Sequence, residues 1–139
     1  MVLLQPPLKE KIDSLFRDCA EKYKNKEFAE AVSILESGWD LLPYPKVTYD
    51  ESYTIVEYMI QFCLLAEDYV QARRWANIIF ICDLERVDSG KREFLAGRVA
   101  FESTDPIMAR ELFYIADQKS KGRCFEGEEV KYLKFFKEK

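Results

Sequence analysis

The chain has no histidine among its 139 residues. The side chain most used as a general base near neutral pH, and as a nitrogen ligand for zinc, is therefore missing. Its four cysteines, Cys19, Cys63, Cys82 and Cys124, lie far apart, with no Cys-x-x-Cys pair. An all-cysteine metal site needs such close pairs, so reduced thiols are the expectation, three of them within apolar helix faces. Glycine and proline are scarce, five of each, and no stretch is low-complexity, which excludes a collagen-like or disordered chain. The most apolar runs, around 60–66 and 76–82, are too short to cross the roughly 30 Å hydrocarbon layer of a bilayer. Met1 to Pro7 lack the basic leader, apolar stretch and small-residue cleavage site of an export signal, which reads as a cytoplasmic start.

Apolar residues make up 48% of the chain and aromatics 14%, ample for one buried core, so a single domain spanning 1–139 is expected. The net charge of −4 hides an asymmetry. Residues 1–118 carry 14 basic and 21 acidic side chains, whereas 119–139 carry 7 basic and 4 acidic. An acidic body argues against nucleic-acid binding, which draws on clustered Lys and Arg, and suits a basic protein partner.

Little in the sequence announces chemistry. The acidic groups Asp13, Asp18, Glu126, Glu128 and Glu129 fall on polar helix faces or in loops and read as solvated charge rather than as an acid/base pair in a cleft. A cysteine without histidine lacks an activating base. The segment from Gly122 to Gly127 lacks the Gly-Lys-Ser/Thr ending of a phosphate-binding loop. The expectation is a non-enzyme without metal or small-molecule cofactor.

Apolar spacing predicts helices throughout. Leu8, Ile12, Leu15, Phe16, Cys19, Ala20 and Tyr23 step by three and four, and the pattern resumes at Phe28, Ala31, Val32, Leu35, Trp39 and Leu42 before Pro43-Tyr44-Pro45 stops it. Asp50 reads as the N-cap of a third helix to Ala66, apolar around most of its circumference and so suited to a central place. Glu67-Asp68 turns into a fourth helix bearing Tyr69, Ala72, Ala76, Ile79 and Phe80. A polar stretch, 83–90, precedes a fifth helix with Phe94, Leu95, Val99 and Phe101, and Asp105-Pro106 starts a sixth. A loop at 121–127 and a short amphipathic helix with Val130, Tyr132, Leu133, Phe135 and Phe136 follow, expected to cover the last apolar face.

Each second helix carries a small residue one turn in, Ala31, Ala72 or Ala109, preceded by a bulky one, Phe28, Tyr69 or Ile107; the alanines recur 41 and 37 residues apart. An alanine at a helix crossing lets two backbones approach. In the first helices, Ala20 with Tyr23, Ile60 with Cys63 and Gly97 with Ala100 occupy slots where tetratricopeptide repeats favour a small residue and then an aromatic. The chain thus resembles that family, with repeats longer than the usual ~34 residues and two of three aromatic slots filled otherwise. The resemblance implies an all-α fold of three stacked antiparallel helical hairpins plus a short C-terminal capping helix. An irregular helical bundle is the other reading of the same pattern.

In such stacks the first helix of each pair lines the concave face. This makes Arg17, Glu21 and Lys24, then Glu57, Gln61 and Leu64, then Phe94, Arg98, Phe101 and Glu102 the candidate partner-binding residues. Tyr44 and Tyr49 in the linker join them, because tyrosine is enriched at binding hot spots; Trp39, Trp75 and Phe125 read chiefly as core. Two segments, Gly38 to Lys46 and Gly122 to Phe136, resemble small tetratricopeptide-like proteins encoded beside bacterial polymorphic toxins, including Rhs and contact-dependent inhibition toxins. That resemblance implies an immunity protein: a cytoplasmic binder that neutralises a cognate, basic toxin domain by stoichiometric occlusion. The alternative is a peptide-binding adaptor or chaperone of the tetratricopeptide class.

Overall fold

Helices form close to where three-and-four spacing places them, and in the computed structural model, which describes residues 3–82 and 88–138, no strand occurs among the described residues. The fold is all-helical. The helices are α1 (Pro6–Lys24), α2 (Phe28–Leu41), α3 (Asp50–Leu65), α4 (Tyr69–Ile79), α5 (Lys91–Glu102), α6 (Pro106–Ser120) and α7 (Val130–Lys137). They group into two compact units, Met1–Asp83 and Leu84–Lys139. Positions 83–87 of the expected polar stretch, and residues 1 and 2 of the N-terminal reading, lie outside the described residues. None of the described helices is long and apolar enough to cross a membrane.

In the first unit α1 packs on α2, α2 on α3, and α3 on α4. Central α3 buries most of its circumference, including Tyr53, Ile55, Val56, Met59, Ile60 and Cys63; burying one large aliphatic side chain contributes about 1.5–3 kcal/mol. Gly38 sits where three helices meet: a Cβ there would lie 3.5 Å from Leu15 and 3.6 Å from Ile55. At the other crossing the Cys19 thiol donates to the Ala31 carbonyl at 3.6 Å. Asp50, expected to cap α3, is instead its first residue, and Tyr49 is the N-cap with extended backbone. Ser52 Oγ donates to the Lys46 carbonyl. Lys46 Nζ in turn donates to the carbonyls of Trp39, Asp40 and Leu42, closing the C-terminal end of α2.

In the second unit α5 packs on α6, and α7 on α6. The core is aromatic: Phe94, Phe113, Phe125 and Tyr132 are buried, with Phe101, Phe135 and Phe136 packed around them. Ring centroids lie 5.4 Å apart for Phe94 and Phe125 and 5.9 Å for Phe113 and Tyr132, within the range where edge-on and tilted pairs attract.

Three turns repeat one geometry. Lys26, Glu67 and Thr104 each adopt left-handed backbone, with φ of 59°, 59° and 60°. The next residue's N–H reaches back to the carbonyl five positions earlier: Glu27 to Lys22 at 2.8 Å, Asp68 to Cys63 at 2.8 Å, Asp105 to Ala100 at 2.9 Å. This is the Schellman closure of a helix. Its last residue is also the N-cap of the following helix, accepting from Ala31, Ala72 and Ala109, all at 3.0 Å. Those three alanines are fully buried.

Candidate functional site

α1 and α3 both pack along α2, and an open trough of about 390 Å³ lies between them. From α1 it is lined by Phe16, Cys19, Ala20 and Tyr23, and from α3 by Tyr58, Gln61, Phe62 and Leu65. Helical spacing puts Phe16 and Tyr23, and likewise Tyr58 and Leu65, seven residues apart on one face. The rings form a continuous row. Phe16 meets Tyr58 edge-on at 6.4 Å, Tyr58 stacks on Phe62 at 5.8 Å, and Phe62 stacks on Tyr23 at 5.4 Å. Phe62 is buried, whereas Tyr23 and Tyr58 are 50% and 42% exposed. Apolar area left in water beside a concave surface is the usual mark of a place where something else packs.

The lining itself carries no charged side chain; on α1 three lysines form ion pairs, and Lys11 and Arg17 are exposed. Lys24 lies 3.7 Å from Glu21, and Lys22 lies 3.2 Å from Glu27 and 3.0 Å from Glu30. Lys9 bridges Asp13 and Glu51 at 3.8 and 3.4 Å. α3 carries Asp50, Glu51 and Glu57 and no basic residue. The one thiol in the lining, Cys19, is pushed up to about 11 by burial, so it stays protonated and unreactive near neutral pH.

Of the sequence-predicted partner-binding residues, Arg17, Glu21 and Lys24 are exposed on α1. Glu57 and Gln61 are half-buried on α3, and Gln61 lines the trough itself. The remaining candidates lie elsewhere. Tyr44 projects into solvent, 92% exposed. Tyr49 is a correction: it is 7% exposed at the start of α3 and presents no surface. Leu64 is likewise buried.

Phe94 is a further correction. It is 4% exposed and sits amid Phe113, Phe125 and Tyr132, so it belongs to the core of the second unit. The neighbouring α5 candidates are engaged by α7 and the loop before it. Arg98 lies 3.6 Å from Glu128 and over the Tyr132 ring at 5.4 Å. Phe101 packs edge-on against Tyr132 and Phe135. Glu102 accepts from Tyr132 Oη at 3.0 Å and pairs with Lys131 at 2.6 Å. Burial pushes the Tyr132 phenol above its ordinary pKa, and the Glu102 partner raises that of Lys131. An amphipathic α7 needs an apolar surface, and this face of α5 and α6 supplies it; the same covering withdraws these residues from solvent.

The aromatic anchors divide similarly. Trp75 and Phe125 are buried, and Trp39 is half-buried with its ring edge-on to Trp75 at 5.3 Å. Reading one residue per helical turn missed Phe16, Tyr23, Tyr58, Phe62 and Leu65, because on an isolated helix an apolar stripe looks the same whether it faces a neighbour or an open trough. The available signal was the excess width of the apolar arc on α1 and α3.

The carboxylates weighed for acid/base work are spread apart: Asp13 pairs with Lys9, Glu128 with Arg98 and Glu129 with Lys131, while Asp18 and Glu126 are exposed. Among the described residues no group of three or more Cys, Asp and Glu is placed to hold a metal ion. No protein-family model matches the chain, and a search among curated proteins finds no match to it.

Proposed function

We propose that this chain is an immunity protein of a bacterial polymorphic toxin system, acting in the cytoplasm by binding a cognate toxin domain one to one and occluding it. Its work is binding, without turnover and without a cofactor. The observation that carries the reading is the trough between α1 and α3, whose row of rings leaves two half-exposed tyrosines where a macromolecular surface can bury them. The first unit holding it has 9 basic and 14 acidic residues, which favours rapid encounter with a basic partner. The resemblance of Gly38 to Lys46 and Gly122 to Phe136 to toxin-linked immunity proteins supplies the biological class.

Three stacked hairpins with a C-terminal cap remain the arrangement that we propose for the whole chain. Three Schellman turns at 41- and 37-residue intervals, each followed by a fully buried alanine, favour tandem repeats over an irregular bundle. The test is protection: cells expressing the toxin encoded next to this chain's gene survive when it is co-expressed, and the two purified proteins co-elute at equal stoichiometry. Absence of both protection and co-elution would remove the proposal. The second reading, a peptide-binding adaptor, rests on the same trough and predicts capture of many client segments instead of one dedicated protein.

A further inference from the structure

We infer that the trough takes a basic amphipathic helix of the partner, laid between α1 and α3 with its apolar stripe on the ring row. The inference rests on the reading of the chain as a protein binder and specifies what that binder holds. Three observations lead to it. First, each wall offers apolar side chains over two helical turns: Phe16 to Tyr23 on α1 and Tyr58 to Leu65 on α3. Seven residues of helix rise about 10.5 Å, the span over which a docked helix presents anchors at i, i+3 or i+4, and i+7.

Second, α1 and α3 both lean on α2, and a gap between two helices sharing a support is where a further helix packs ridges into grooves. An extended strand finds no sheet edge here, since the described residues are helical and turn. Third, α3 bears three acidic residues, Asp50, Glu51 and Glu57, and no basic one, whereas α1 carries five basic and four acidic residues, so the two walls together are acidic by two charges. With the unit acidic overall, Lys and Arg flanking the apolar stripe of the incoming helix are attracted, and acidic flanks are repelled.

The experiment uses the full chain and a fluorescein-labelled leucine–lysine helical peptide of about four turns, followed by anisotropy. Two companion peptides share its apolar stripe: one has glutamate for every lysine, the other a central proline. The lysine peptide is expected to bind saturably, about tenfold or more tighter than either companion. Tyr58→Ser and Tyr23→Ser each weaken it by about tenfold, while Val70→Ser, at an exposed position of α4, leaves it unchanged. If circular dichroism shows that a tyrosine variant has lost its helix, Gln61→Lys serves instead, placing a like charge in the trough and weakening binding to the same degree.

Equal binding of the lysine and glutamate peptides, indifference to these substitutions, or no saturation up to about 1 mM overturns the inference. Equal binding of the proline peptide overturns its helical part and identifies an extended occupant. Failure here is separable from failure of the immunity reading. A Tyr58→Ser chain that still protects against the toxin removes only the trough's role, whereas a chain that binds the peptide through Tyr58 yet gives no protection removes only the toxin.

Discussion

Gly97 of α5 lies against the ring of Phe113 of α6, so close that a Cβ built on the glycine would stand 2.6 Å from two ring carbons. The backbone of α5 can approach α6 this closely only because that position carries no side chain. Phe113 has nowhere to retreat, being fully buried among Phe94, Phe125, Tyr132 and Phe135. A helix interior ordinarily gains when alanine replaces glycine. Here overpacking dominates, and Gly97→Ala is expected to destabilise the second unit by about 1–3 kcal/mol. Urea denaturation followed by circular dichroism measures it; an unchanged or raised midpoint would mean that α5 and α6 do not cross at this glycine.

Thr104 shows the opposite balance. It holds left-handed backbone at the turn between α5 and α6, a conformation that a β-branched residue adopts at a cost and glycine adopts freely. Thr104→Gly is expected to raise stability by about 0.5–1 kcal/mol, the relief of strain exceeding the added chain entropy. The same melt with an unchanged denaturant slope checks this, and a loss of stability would argue against the Schellman geometry there.

Arg110 of α6 ties down the end of α7. Its guanidinium lies over the Phe135 ring at 4.5 Å and donates to the carbonyls of Phe135, Phe136 and Glu138. Carbonyls at a helix C-terminus lack partners within the helix and gain most from a cation. Arg110→Ala is expected to cost about 1–3 kcal/mol and to speed limited proteolysis after Lys131 or Lys134. Cleavage rates equal to those of the unaltered chain would show that the ring contacts of Tyr132 and Phe136 hold α7 unaided.

Burial pushes the Cys19 thiol up to about 11 and that of Cys63 up to about 12, from an ordinary value of 9.0. Both should resist alkylation at pH 8 until the chain is unfolded, a contrast that mass spectrometry of iodoacetamide-treated protein reveals. The folded state holds these protons more tightly than the unfolded state does. Their contribution to stability is therefore complete below pH 9, and declines as the pH rises through about 11 and 12. Cys63→Ala removes one titrating group, so the fall of stability above pH 9 should be shallower in that variant. An equal slope would remove the thiol from the explanation.

Much of the helical layout was legible because it depends on local information. Three-and-four spacing marks a helix whatever lies opposite it, Pro43 and Pro45 stop α2, and Asp105 with Pro106 starts α6 by an N-cap bond to Met108 at 3.2 Å. The turns were less legible. Lys26, Glu67 and Thr104 carry none of the usual preference for left-handed backbone, which belongs to glycine and asparagine; the geometry is imposed by the helices on either side. The candidate site was legible to the extent of its helices, α1 and α3, and of Gln61 in its lining. The tyrosine and phenylalanine side chains that form its row were not separated from core.

The sequence by itself determined the all-helical class, the absence of histidine chemistry and the acidic character of the first 83 residues, since composition and periodicity are properties of the chain before it folds. Only the tertiary structure decided which aromatics meet solvent. Tyr23 and Phe94 look alike as members of an apolar stripe, yet one borders an open trough and the other is enclosed by α6, α7 and Phe125. The difference lies in what packs opposite, and that neighbour comes from a distant part of the chain.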